Sequence, residues 1–143
     1  MKKKLNCVLL VDDNDSDNFI HKRVIKAAGI TDFIGISLNG QEAIDFLKTK
    51  IEMGQQERSF PRPALIFLDI NMPLMNGWEF LEEYQQLDDG QKGKAIIIML
   101  TTSLKPTDVA TAEKTLGRGC FLYKPLTLEM LDEIIQKHFQ EYL

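Results

Sequence analysis

The chain has 143 residues and a net charge of −4, which suits one domain with a real core and is too short for two ordinary ones. Acidic and basic residues are interspersed, so nucleic acid is not an expected partner. No apolar run approaches the roughly 20 residues needed to span a bilayer, so neither a membrane anchor nor a signal peptide is expected and the chain is read as cytoplasmic.

Two cysteines, Cys7 and Cys120, lie far apart in apolar runs without CxxC spacing. They are read as small buried packing residues in a reducing compartment rather than as a metal or redox motif. Leu5 to Val11 reads as a first buried strand that runs into Asp12-Asp13-Asn14-Asp15-Ser16-Asp17. A helix is predicted from about Ser16, with Ile20, Val24, Ala27 and Ala28 at helical spacing and Gly29 as its stop. Phe33 to Leu38 is a second strand. Asn39-Gly40 turns into a helix carrying Ala43, Ile44, Leu47 and Ile51.

Gly54 to Pro63 is polar and aperiodic, and is read as a surface loop. Leu65 to Leu68 is four apolar residues, the pattern of a strand buried on both faces, and it stops at Asp69. After Asn76-Gly77 a third helix presents Phe80, Leu81, Tyr84 and Leu87, with Asp88 to Lys94 as its exit loop. Ala95 to Leu100 is a fourth buried strand ending in Thr101-Thr102-Ser103. Pro106 opens a fourth helix that reaches about Leu116. Cys120 to Tyr123 is a fifth strand ending in Lys124-Pro125, and Thr127 caps a last helix whose stripe is Leu128, Leu131, Ile135, His138 or Phe139, and Tyr142.

Five strands alternating with five helices imply an α/β fold, a doubly wound parallel sheet covered on both faces with right-handed crossovers. In the flavodoxin-like order 2-1-3-4-5 the first and third strands are neighbours at the switch point. Asp12, Asp13 and Asp69 would then converge at one edge, with Thr101 and Lys124 from the next two strand ends. Packed carboxylates repel unless a cation neutralises them, and an all-oxygen set with room for water suits magnesium. A carboxylate can be a nucleophile towards phosphorus. A bound cation, the Lys124 ammonium and the Thr101 hydroxyl would supply the electrostatic stabilisation phosphoryl transfer requires.

The motifs Val11-Asp12-Asp13, Leu68-Asp69-Ile70-Asn71-Met72-Pro73 with Gly77, Leu100-Thr101-Thr102 and Tyr123-Lys124-Pro125 occur in order at these strand ends. In them the chain resembles the receiver domain of two-component response regulators, in a single-domain, chemotaxis-regulator-like form spanning residues 1–143 with no output domain. The resemblance implies that Asp69 is the phosphoacceptor, that Asp13 binds magnesium directly and Asp12 through water, and that Asn71 offers its backbone carbonyl to the metal. It further implies that Lys124 pairs with the phosphoryl oxygens, that Thr101 is the switch hydroxyl and that Phe121 is the aromatic switch residue. The implied donor is a sensor histidine kinase or histidine phosphotransfer protein. The implied output is contact with a downstream protein, from a monomer or a phosphorylation-dependent dimer, and the chain is a signalling phosphoacceptor rather than an enzyme. Two features depart from the family pattern: the long Gly54–Pro63 loop, and Thr102 where a small residue is usual.

Blander explanations exist for each residue. Asp12 and Asp13 could serve as caps for the first helix, and Lys124 could be a solvated lysine. Asp13 to Asp17 superficially matches a calcium loop, but Asn18 and Val24 stand where Gly and Glu are needed. A haloacid-dehalogenase-like phosphatase needs a second acid two residues after its nucleophile, where this chain has Asn71. A flavodoxin-like cofactor site would need a phosphate loop where the acidic cluster stands, and a pseudo-receiver would lack part of the constellation. His21 and His138 are placed on helices away from the crevice, as surface or packing residues.

Overall fold

The computed structural model describes residues 4–53, 62–92 and 95–140. In chain order these form β1 (Val8–Val11), α1 (Asp15–Ala28), β2 (Ile34–Ser37), α2 (Gly40–Met53), β3 (Leu65–Leu68) and α3 (Gly77–Gln85). They continue with α4 (Asp89–Lys92), β4 (Ile96–Thr101), α5 (Pro106–Leu116), β5 (Phe121–Tyr123) and α6 (Leu128–His138). The five strands make one parallel sheet in the order β2-β1-β3-β4-β5, as the sequence predicts.

The three central strands, β1, β3 and β4, are apolar on both faces because both faces are covered. Successive side chains alternate sides, so Val8, Leu10, Leu65, Phe67, Ile98 and Leu100 pack with Ile25 of α1 and with Leu131, Ile134 and Ile135 of α6. Their neighbours Leu9, Val11, Ile66, Leu68, Ile97 and Met99 pack on the other side, with residues of α2, α3 and α5. Both cysteines are buried, as expected.

The structure corrects four expectations. The described residues form six helical segments rather than five, because Asp89–Lys92 closes a single turn inside the expected exit loop. Its Gln91 and Lys92 N–H groups donate to the Asp88 carbonyl, and Gln91 Oε1 accepts from Asp88 N–H at 3.1 Å. It buries no residue, so apolar periodicity could not reveal it. Strand β1 is also shorter than Leu5–Val11, with Leu5 joined to Thr31 by an isolated bridge.

The inner face of α1 is rotated from the predicted one. Asn18, His21 and Ile25 are buried, whereas Ile20 is 46% exposed and Ala27 is exposed. On α6 and its C-terminal cap, Leu131, Ile134, Ile135 and Phe139 are buried while Leu128 lies outside at 53% exposure. Thr127 does cap that helix, accepting from Met130 N–H. The predicted side-chain placements of Ile51 and Tyr142, and positions 54–61 of the predicted loop, fall outside the described residues.

Helix α3 begins against the end of β3. Its Asn76 cap and Glu79 satisfy one another's backbone N–H groups in a capping box, and Gly77 N–H donates to the Ile70 carbonyl at 2.8 Å. A Cβ on Gly77 would run into the Asp69 carbonyl oxygen and lie 3.1 Å from Ile70 Cα. Both obstacles are backbone, so neither can swing aside. Gly77→Ala should therefore destabilise the fold: forcing the strand end to move costs about 1–3 kcal/mol, more than the ~1 kcal/mol at most that alanine gains in helix propensity. Guanidinium unfolding of the variant checks this, and an increase in stability would refute the contact.

Candidate functional site

The alternation that builds the two cores also aims the acids. Asp12 continues the series Val8, Leu10, and Asp69 continues Leu65, Phe67, so both turn towards α1 just past the strand ends. Val11 pairs with Leu68 in the sheet register, and Asp69 N–H donates to the Val11 carbonyl at 2.9 Å. The two carboxylates are thereby held on adjacent strands at one height.

Local hydrogen bonds then fix each one. Asp12 N–H donates to the Ser37 carbonyl at 2.9 Å, its Oδ1 accepts from Asn14 N–H at 2.9 Å, and its carbonyl accepts from Asn18 Nδ2 at 2.9 Å. Asn14 in turn caps α1 by accepting from Asp17 N–H. Asp69 Oδ1 accepts from Ile70 N–H at 2.8 Å. Lys124 N–H donates to the Thr101 carbonyl at 3.0 Å, which ties the turn after β5 to the end of β4.

Asp12, Asp13 and Asp69 each bring one carboxylate oxygen within 4.8 Å of the others, with Asp12 and Asp69 buried and Asp13 exposed. The Lys124 ammonium stands among them, 2.6 Å from Asp12 Oδ2, 2.7 Å from Asp17 Oδ2 and 3.4 Å from Asp69 Oδ2. Three carboxylates thus face one ammonium, and a fourth, Asp13, stands beside two of them. Burial pushes the Asp12 carboxyl above its usual range, against the opposing pull of Lys124 and the Asn14 N–H. Burial alone would lower Lys124, but hydrogen bonds to Asp12 and Asp17 and the nearby Asp69 charge outweigh it and raise its pKa. The excess negative charge and the all-oxygen donors suit a hard divalent cation on Asp12, Asp13 and Asp69.

Of the residues singled out from sequence, Asp12, Asp13, Asp69 and Lys124 come together. Thr101 is buried at the end of β4, and its hydroxyl accepts from Ser103 N–H at 3.3 Å. Ser103 is itself held by Asp108 of α5. Phe121 is half-buried beside Met99, with its ring edge-on to Tyr123 at 5.5 Å. Asn71 and Thr102 are exposed.

Three residues of α1 were missed. Asp17 holds Lys124, Asn18 holds Asp12, and His21, which the sequence reading set away from the crevice, lines a cavity of about 10 Å³ with Asn18, Asp12 and Asp69. That site burial lowers the His21 pKa, with the Lys124 charge acting in the same direction. The available signal was the cap: with Asn14 at the start of the helix, Asp17, Asn18 and His21 fall on the side facing the strand end, whatever their polarity.

Among the described residues no helix is long and apolar enough to cross a membrane. The family model for the response regulator receiver domain matches residues 8–136. Response regulator Rcp1 from Synechocystis is 35% identical over 129 residues, covering 90% of this chain and 83% of its own. A two-component response regulator from Cytophaga hutchinsonii superposes with a TM-score of 0.80 at 33% identity, covering 94% and 97% of the two chains. The Mn²⁺-bound form of Rcp1 superposes with a TM-score of 0.66 at 30% identity, covering 96% of each chain. With its 2-1-3-4-5 sheet and the paired acids of Asp12 and Asp69 at the switch point, this chain belongs to the response regulator receiver domain family.

Proposed function

We propose that the chain works as a receiver that takes a phosphoryl group onto Asp69 and signals by protein contact. The supporting observation is the convergence of Asp12, Asp13 and Lys124 on one buried carboxylate. Asp69 Oδ1 is engaged by the Ile70 N–H, which leaves Oδ2, on the lysine side, to attack phosphorus. The phosphorus–nitrogen bond of a donor phosphohistidine breaks as the new phosphorus–oxygen bond forms, and the departing imidazole takes up a proton. Lys124 neutralises charge on the transferred oxygens, and buried walls from Phe67 and Leu100 keep bulk water from the inner side.

Asp13 and Asp69, with Asp12 through water and the Asn71 carbonyl, would hold magnesium. The ion would supply charge neutralisation across the transferring group. That a relative is described in a Mn²⁺-bound form supports a divalent site of this kind. Thr101 would turn its hydroxyl from Ser103 N–H to the phosphoryl group, and Phe121 would follow into the space vacated, biasing the β4–β5 face between two states. The donor would be a sensor histidine kinase or histidine phosphotransfer protein in the cytoplasm. The receiver itself would be a monomer or a phosphorylation-dependent dimer, promoting no reaction beyond its own phosphorylation and dephosphorylation.

Two outcomes test this. Incubation with magnesium and acetyl phosphate should add one phosphoryl group by intact mass, lost in Asp69→Ala and on chelation of the metal. Absence of the adduct on the wild type would sink the proposal, and sustained turnover of phosphoesters would point to a phosphatase instead. The second outcome concerns pH. Because the folded Asp12 pKa lies above its unfolded value of 3.8, its ionisation opposes folding, and wild-type stability falls as pH rises through that window. Without divalent metal, Asp12→Asn should be the more stable protein at pH 7, with no such advantage below the unfolded pKa. Magnesium should reverse the order at pH 7, since the ion stabilises the folded state that binds it. Urea unfolding with and without magnesium measures both.

A further inference from the structure

The Lys124 ammonium has three protons to donate and three carboxylates around it, at 2.6 Å to Asp12, 2.7 Å to Asp17 and 3.4 Å to Asp69. Asp12 and Asp69 also belong to the cluster suited to a cation, whereas Asp17 does not. A cation on that cluster would draw down the charge that Asp12 and Asp69 offer the lysine and would itself repel the ammonium. Asp17 is the one of the three partners left with its full charge for Lys124.

Asp17 is built to stay in place. Its N–H donates to the Asn14 side chain at 2.9 Å, in the first turn of α1, where the helix dipole favours a carboxylate. That turn is pinned to the end of β1 by the Asn18 side chain on the Asp12 carbonyl at 2.9 Å. The Asp17 side chain is 30% exposed and that of Lys124 only 9%. The pair thus spans the rim of the site, with the ammonium on its inner side.

We propose that Asp17 is a positioning residue for Lys124: it keeps the ammonium beside Asp69 once Asp12 is engaged by the cation, so that the lysine meets the incoming phosphoryl group already in place. This rests on Asp69 being the phosphoacceptor. Without Asp17, a flexible lysine stem beside a cation would swing outward, and each transfer would have to order it afresh.

The test is a double-mutant cycle between Asp17 and Lys124, read on the rate of phosphorylation by acetyl phosphate at saturating magnesium. Asp17→Ala and Asp17→Asn should each slow adduct formation about tenfold, the scale of one charge-assisted hydrogen bond. Asp17→Glu, which retains the carboxylate, should recover most of the rate. In a Lys124→Ala background, Asp17→Ala should add no further loss. A merely structural tie between α1 and the β5 turn would instead slow the reaction equally with or without the lysine, and that result overturns the proposal. So does an Asp17→Ala variant, folded by circular dichroism, that matches wild type. If the wild type forms no adduct, the phosphoacceptor reading fails and this inference with it. Chemical denaturation of the wild type, Asp17→Ala, Lys124→Ala and the double variant without metal should show the pair coupled as well, and strictly additive losses would count against it.

Discussion

Three carboxylates gathered around one ammonium, with a fourth beside them, are the constraint on which the carboxyl edge of this fold depends. Taking charges out of water is expensive, and pairing repays the cost when the geometry is good and the remaining hydrogen bonds are met. Here nearly every neighbour of the site meets one of them. The Asn14 and Ile70 N–H groups each bond an acid oxygen, Asn18 holds the Asp12 backbone, and Lys124 is anchored through its own N–H to Thr101. Asn18 Oδ1 is left without a partner beside the small cavity it shares with His21. The edge is held under electrostatic load, which a cation would relieve.

This load is tolerable because the rest of the sheet is so plainly apolar. Phe67, Leu9, Leu10, Ile66 and Ile98 are almost wholly removed from water, and the two cores they form meet no charge until the strands end. Parallel strands covered on both faces supply that stability and, by their register, bring the ends of β1 and β3 to one height. The arrangement places destabilising groups where the chain has finished its regular hydrogen bonding, at the switch point of the sheet.

What could be read from sequence followed from these same causes. The strands were legible because Leu65–Leu68 and Ile96–Met99 are continuous apolar runs, and the site because Asp12, Asp69, Thr101 and Lys124 each terminate one. The inner face of α1 was not legible from apolar spacing. Its first two turns lie over acids, so the buried residues there are Asn18 and His21, while Phe19 and Ile20 point outward. Apolar periodicity finds faces that cover apolar surface, and this face covers a polar one. Leu128 misled for a related reason: it stands at the first position after the Thr127 cap, where α6 has not yet reached the sheet. The short turn at Asp89–Lys92 buries nothing, so it left no pattern to detect.

The same hydrogen bonds that hold the acids also connect them to the far strands. Lys124 is tied at one end to Asp12 and Asp17 and at the other, through its N–H, to the Thr101 carbonyl. Thr101 pairs in register with Tyr123, and Met99 with Phe121. On the proposed function, a phosphoryl group that shifts the balance of the lysine's three partners pulls on a backbone shared by β4 and β5. The Phe121 and Tyr123 rings stack edge to face on that backbone, one half-buried and one 46% exposed. A rigid core behind them favours discrete rearrangement over gradual deformation. The charge balance at Lys124 and the aromatic surface of β5 are therefore joined by three residues of strand and one peptide hydrogen bond, a connection short enough for a local electrostatic change to reach the protein's exterior.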